Sequence, residues 1–396
     1  MNINRLAFSL LLILIVSSLN FSSTTYSNSI ISSKPIRTLI TSQVDTPIEI
    51  GTNAELAQQS TAGVGTRSNP YIIEGKIISG RGCVYIHDTT SSFIIRDSEF
   101  TFDPTLIAGT GTSVILFEHI EDGVIENCYV RGGDIAIELR GSDNCVISNC
   151  ITIDAFRGIL IDSSSNSTII ESAIHGNSIG TMIVNSDSCR VINNSIYANY
   201  QRGIHVGAFS ENNSIFGNAI GWNAVQNALD SGEDTVFTDG ISIGNEWSDY
   251  NSSEEYTIGV SGSTDPYATL LTDSIAPVVF QASDMVIDIE SNGDAIIWSV
   301  SDRFPQGYQI YVNDDLEEGS VWDGSDITFS LDHLSEGTYT INLNVTDGAG
   351  NAVRDEVVVS VISFILGGIG TEFVMYASGI TMVCFVVIIL LVKRFA

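Results

Sequence analysis

Apolar and polar positions along this chain follow a unit of seven residues that returns seven times. The first copy is Ile72-Ile73-Glu74-Gly75-Lys76-Ile77-Ile78, and the others begin at Ile94, Val124, Val146, Ile169, Val191 and Ile215. The starts lie 22, 30, 22, 23, 22 and 24 residues apart. Two apolar residues open the unit, a polar or small pair follows, and an apolar residue usually closes it. A unit this short buries its apolar side only against its neighbours, so a period in the low twenties predicts a solenoid. Ile, Val, Ser, Asn and Gly dominate, which favours strands and tight turns over the helical half of a leucine-rich repeat. A second apolar run follows each copy, at 83–86, 135–139, 158–161, 182–184 and 203–206. The pattern predicts at least two short strands per coil, stacked about 4.8 Å apart as a right-handed parallel β-helix over residues 67–250.

Reading the copies in columns adds detail. The fourth position is Gly75, Asp97, Asn127, Asn149, Ser172, Asn194 and Asn218, which predicts an amide ladder. The fifth is Lys76, Ser98, Cys128, Cys150, Ala173, Ser195 and Ala219, nearly all small, as expected of a crowded turn. Counting onward from each start places Ile86, Glu138, Leu160, Ile183 and His205 on the outside of the second strand. Leu160 and Ile183 would then be neighbouring exposed aliphatics, a candidate binding surface. The long interval after Ile94 holds an insertion at 103–112, expected to form a loop standing out from the stack.

A β-helix also needs its ends covered. Residues 53–59 read as a short capping helix with Asn53 or Thr52 as N-cap, inside a polar segment at 29–66. Trp247 and Tyr250 are large enough to plug the far end, and 251–275 read as a terminating loop and linker. Beyond Pro277 the alternation changes. Seven strand candidates, at 278–280, 285–289, 295–300, 308–312, 327–331, 337–345 and 357–361, predict an immunoglobulin-like sandwich over 276–362. Trp298 is its expected core residue, and 347–351 its last hairpin turn.

The two ends carry targeting signals. Arg5 precedes an apolar run at 6–16 and then Ser/Thr-rich sequence, the pattern of a secretory signal peptide over 1–28. Residues 373–392 hold no charge and are followed by Lys393 and Arg394. That length spans a bilayer, with 393–396 as a cytoplasmic tail. The expected layout is a single-pass cell-membrane protein with its mass outside the cell. A net charge of −31 excludes nucleic acid as a partner, since phosphate binding needs clustered Lys and Arg. Six cysteines are too few for a disulfide scaffold. Cys128 and Cys150 stand one coil apart and are expected as free buried thiols, because in-register neighbours rarely reach disulfide geometry.

Candidate chemistry is sparse. Glycoside hydrolysis needs two carboxylates roughly 5–9.5 Å apart, and Glu138 with Asp162 is the candidate pair. A lyase would need Ca²⁺-holding acids and a basic residue, and Arg131, Arg140 and Arg157 are available. Copper would need clustered His, Met or Cys, but the histidines fall in different columns. Glu118 beside His119 is the one local candidate. Asn166, Asn212, Asn251 and Asn344 head glycosylation sequons, and so does Asn193, which precedes the ladder column.

Two segments bracket the repeats and resemble a known family. Gly65-Thr66-Arg67-Ser68-Asn69-Pro70-Tyr71-Ile72-Ile73-Glu74-Gly75 is similar to the entry motif of archaeal and bacterial NosD-type right-handed β-helix proteins. Gly244-Asn245-Glu246-Trp247-Ser248-Asp249-Tyr250 resembles their closing motif. The anchored layout looks like that of archaeal cell-surface proteins. The resemblance implies an extracytoplasmic β-helix linked to carbohydrate-binding and sugar-hydrolase folds and, in the namesake, to copper-site maturation. The expectation from sequence is a non-enzymatic surface protein presenting a face to glycans or a protein partner. A surface polysaccharide lyase or hydrolase is the first alternative and copper handling the second. No cofactor is required, with Ca²⁺ or Cu the ions to test.

Overall fold

Each coil of the repeat makes three strands. The computed structural model describes residues 44–105, 113–251, 254–259 and 262–363. Its coils stack into three sheets of parallel strands, the walls of a parallel β-helix. Sheet I has eight strands: Ile48–Ile50, Val84–His87, Ser113–Glu118, Ile135–Arg140, Arg157–Asp162, Ile179–Val184, Arg202–Val206 and Gln226–Asp230. Sheet II has seven, from Tyr71–Glu74 to Ser214–Phe216, and sheet III nine, from Ile77–Gly80 to Thr269–Leu270. The heptad is therefore two strands and a corner. In its third copy Gly123–Glu126 lies in sheet II and Tyr129–Arg131 in sheet III, with Asn127 between them at φ 51°. Gly75, Asp97, Asn149, Glu171, Asn193 and Gly217 take the same left-handed corner. Gly, Asn and Asp tolerate that conformation best, which explains the polar or small pair in mid-repeat.

The register corrects the amide column. Val146 pairs with Thr168, not Ile169, and Thr168 pairs with Arg190. In the last three copies the outward residue before the core position is Thr168, Arg190 or Ser214, so the apolar pair starts one residue late. The column read from sequence thus mixed corner residues with interior ones. The interior ladder runs Ser172, Asn194, Asn218, Asn245. Asn218 Oδ1 accepts from Asn194 N and Nδ2 at 2.9 and 3.0 Å, and Asn245 Oδ1 accepts from Asn218 N and Nδ2 at 3.1 and 2.9 Å. One oxygen of Asp265 closes the ladder, accepting from Asn245 and from Trp247 Nε1. A second ladder, Asn177–Asn199–Asn223, lies at the corner between sheets III and I. Each interior amide satisfies backbone groups that would otherwise cost about 1–3 kcal/mol apiece.

Both ends are covered as expected. Helix α1 (Asn53–Gln59) is capped by Thr52, whose hydroxyl accepts from Glu55 N, and its Leu56 is fully buried in the stack's core. Trp247 closes the other end, fully buried and stacked on Tyr256 at 4.2 Å. Residues 251–275 are more than a linker, however. Tyr256–Ile258 pairs with Ser263–Asp265, and Thr269–Leu270 adds a strand to sheet III beyond Glu246–Trp247. Cys128 and Cys150 are free and buried, as are Cys83, Cys145 and Cys189.

The following domain is built of a three-stranded and a five-stranded sheet around buried Trp298 and Trp322. Its fifth strand in chain order, Asp315–Val321, was not expected from sequence because Glu317, Glu318 and Gly319 interrupt the apolar alternation. Met285–Asp288 pairs in parallel with Ala352–Ile362. This domain docks on sheet III. Tyr197 packs edge-on against Phe304 at 5.1 Å and donates to Pro305 O at 3.1 Å. Arg131 donates to Ser320 at 2.9 Å. The signal segment 1–28, the span 373–392, the tail 393–396 and most of the insertion (106–112) lie outside the described residues. No helix among the described residues is long and apolar enough to cross a membrane.

Candidate ligand-binding face of sheet I

Outward side chains of sheet I form three columns, set by the pairing register. The first is Ser113, Ile135, Arg157, Ile179, Arg202 and Gln226; the second Tyr85, Leu116, Glu138, Leu160, Met182, His205 and Leu229; the third His87, Glu118, Arg140, Asp162 and Val184. The intervening residues, among them Ile137, Ile159, Ile161 and Ile183, fill the core.

Two of the outward residues expected from sequence are corrected here. Ile86 and Ile183 are fully buried in the core, and Tyr85 and Met182 take their places outside. The first coil is one residue shorter between its two apolar runs than the count assumed. The coil holding Ile183 starts one residue earlier, at Thr168. Each error flips a strand position to the other face. Glu138, Leu160 and His205 do lie in the outward column, but Leu160 is only 8 % exposed, so no exposed Leu–Ile patch exists.

The lower half of the face is one connected polar network. Tyr85 Oη donates to Glu118 Oε2, and Arg140 Nη1 donates to Glu118 Oε1 at 3.2 Å. Arg140 Nη2 and Nε hold Glu138 Oε1 at 2.6 and 2.9 Å. Ser113 donates to Glu138 Oε2, and Glu138 is only 2 % exposed. His87 stacks on Tyr85 at 4.6 Å. The hydrogen bond to Glu118 pushes the Tyr85 phenol up to about 12, and the same bond, with Arg140, holds the Glu118 carboxyl low. Burial alone would lower Arg140, but Glu138 and Glu118 outweigh it and raise the guanidinium. Both oxygens of each glutamate are engaged, so neither carboxylate is placed to give a proton to a bound sugar.

Glu138 and Asp162 stand in adjacent columns of neighbouring coils and keep separate partners. Asp162 pairs in register with Arg140, and its Oδ1 accepts instead from Ser163 and Asn185 at 2.9 and 3.3 Å. Glu118 and His119 also diverge. Glu118 joins the network, while His119, at a left-handed corner, turns its Nδ1 to Asp88 Oδ1 at 3.2 Å. Asp88 Oδ2 meets His87 Nδ1 at 3.0 Å, so one carboxylate bridges two imidazoles one coil apart, and both contacts lower its pKa. Sequence reading missed this pairing because both histidines sit at strand ends, where the column count had drifted. A second acidic group lies by the domain junction, where Asp273, Asp302 and Asp347 bring carboxylate oxygens within 4.8 Å of one another. Burial, with Asp347 and Asp273, pushes Asp302 up to about 6.

A family model described as Periplasmic copper-binding protein (NosD) matches residues 46–252, more than half the chain and the stack from its first sheet I strand to Trp247. The chain belongs to the NosD family. No curated protein matches it. Among solved structures, this NosD-family chain is similar to the periplasmic alginate epimerase AlgG at 13 % identity and TM-score 0.32, covering 41 % of each chain. It is similar to the Azotobacter vinelandii mannuronan C-5 epimerase AlgE6 A-module at 16 % and 0.30, covering 50 % of this chain and 65 % of that one. The Bacteriophage CBA120 tailspike protein 2 enzymatically active domain matches at 10 % and 0.32, over 72 % and 67 %. The chain thus spans less than two thirds of either epimerase structure.

The upper half of the face differs from the lower. Leu160, Met182 and His205 line it, flanked by Arg157 and Arg202. The adjoining corner exposes Phe156 and Tyr200. Arg157 lies over the Phe156 ring at 4.9 Å. Burial, then the charge of Arg202, lowers the pKa of His205. Of the sequon asparagines, Asn166, Asn212 and Asn251 are exposed, the first two at left-handed corners along one edge of the stack. Asn193 is exposed too, while Asn344 is half-buried in a strand paired on both sides.

Proposed function

We propose that this NosD-family chain is an extracytoplasmic surface protein whose sheet I face binds an extended glycan. The two-sheet domain would serve as an immunoglobulin-like spacer, and the C-terminal apolar segment as the membrane anchor. The observation that carries the reading is the composition of sheet I. It presents Tyr85, Glu118 and Arg140, held by buried Glu138, as a fixed polar array, continued by apolar residues and bordered by exposed Phe156 and Tyr200. Planar hydrogen-bonding groups beside aromatic rings are what a sugar's hydroxyls and apolar ring faces require. Successive coils advance about 4.8 Å, close to the length of one hexopyranose unit in an extended chain, so neighbouring coils can meet neighbouring sugars.

Binding without turnover fits the engaged carboxylates better than hydrolysis does. Copper fits less well. A copper set draws on imidazole with thiolate or thioether, but the five described thiols are buried, and those of Cys83, Cys128, Cys145, Cys150 and Cys189 turn onto main-chain carbonyls. The two imidazoles on Asp88 have no sulfur partner in that network. The test is a glycan array probed with the full-length protein, run beside reducing-sugar and unsaturated-product assays. Binding that falls at least tenfold in Arg140→Ala, with no product formed, supports the reading. Product formation, or an array without hits, overturns it.

A further inference from the structure

The upper half of sheet I holds donors that the protein leaves unused. Arg157 pairs with Ile179 and Ile179 with Arg202, so the two arginines share a column two coils apart. His205 lies in the adjacent column, paired with Met182. Among the described residues, Arg157 Nε, Arg202 Nε and His205 Nδ1 are each buried without a hydrogen-bond partner. A buried polar atom left unpaired costs about 1–3 kcal/mol, so two guanidinium donors and one ring nitrogen on one face mark a place where a partner from outside is expected. Acids are abundant in the chain, with 47 Asp and Glu against 16 Lys and Arg, yet neither arginine has an ion pair among the described residues. Arg131 and Arg140, at neighbouring coils, hold Asp154 and Glu138 at 2.6 Å.

We infer that Arg157, Arg202 and His205 form a subsite for the oxyanion of an acidic sugar, a carboxylate or a sulfate, within the glycan-binding face. This rests on the proposed function and names the substrate class. The guanidinium fork matches both oxyanions in two-point geometry, which Lys cannot reproduce. Phe156 and Tyr200 border the subsite and can cover the faces of the same sugars. The two arginines stand about two coil spacings apart, roughly 10 Å, so they address charges on alternate residues of an extended chain. The surrounding negative charge makes the subsite selective, since an anion placed off the arginines meets repulsion.

The experiment is calorimetric titration of the full-length protein with three oligosaccharides of equal length: a polyuronate, a sulfated glycan and their neutral counterpart. The expected result is that at least one charged oligosaccharide binds at least tenfold more tightly than the neutral one. Arg157→Gln and Arg202→Gln should each abolish that preference while neutral binding persists, and Arg202→Lys should restore only part of it. The charged arm that binds identifies the oxyanion. Unchanged melting temperatures verify that the variants fold. Equal binding of all three overturns the subsite and leaves the glycan-binding face standing. Failure of all three to bind overturns the proposed function, and the subsite with it.

Discussion

Sheets I and III are walls of the same coils, yet their outer surfaces have opposite fates. On sheet III the outward column Arg131, Ile153, His175, Tyr197 and Gly221 is met by the second domain. His175 and Tyr197 stack there at 4.7 Å, both almost completely buried. Three residues after Tyr197, Tyr200 turns the corner toward sheet I and is 61 % exposed. The interior of a coil is constrained by its stacked neighbours. Its outer columns are not, so one solenoid can devote one wall to internal docking and another to a ligand.

The largest effect that would break this contrast is on the docked wall. Tyr197→Ala should cost about 3–5 kcal/mol, the usual loss for a buried aromatic, and shift the denaturation midpoint accordingly. A loss under 1 kcal/mol would mean the second domain is not held there. Next is acid sensitivity. Burial holds the His175 imidazole down at about 4, against about 6.5 in an unfolded chain. The unfolded state binds the extra proton, so stability present above about pH 6.5 is lost as pH falls toward 4, in total about 3 kcal/mol. Asp302, pushed up to about 6, acts with the opposite sign. The difference between wild type and His175→Phe over pH 4–7 therefore isolates the histidine. Identical acid limbs in the two proteins would contradict its burial.

On the open wall the effects on stability are smaller. Tyr85→Phe removes one hydrogen bond to Glu118 and should cost about 1 kcal/mol. Spectrophotometric titration should also lose one phenol ionising near 12. Tyr200→Ala should change stability by no more than about 0.5 kcal/mol while weakening glycan binding. A large stability loss there would mean that the corner is packed rather than presented.

The period, the stacking, the capping helix and the plug at Trp247 were legible because interior positions must repeat. The third strand per coil was not, since the heptad runs through a left-handed corner without interrupting its apolar pattern. Ladder and outward columns were misplaced by single residues wherever a coil gained or lost one. Val146 and Ile169 look equivalent in sequence although Thr168 is the true partner. The network of Tyr85, Glu118, Glu138 and Arg140 joins residues from three coils, and the bridge through Asp88 joins two. Neither leaves a local motif. Only the register brings them together.

Hydroxyl-radical footprinting of the full-length protein, with and without its best-binding oligosaccharide, asks whether sheet I is the bound face. Tyr85, Met182, His205, Phe156 and Tyr200 all carry oxidisable side chains on or beside sheet I. Ligand should protect these residues while Phe216 on sheet II keeps its reactivity. Protection confined to sheet II or to the second domain would contradict it.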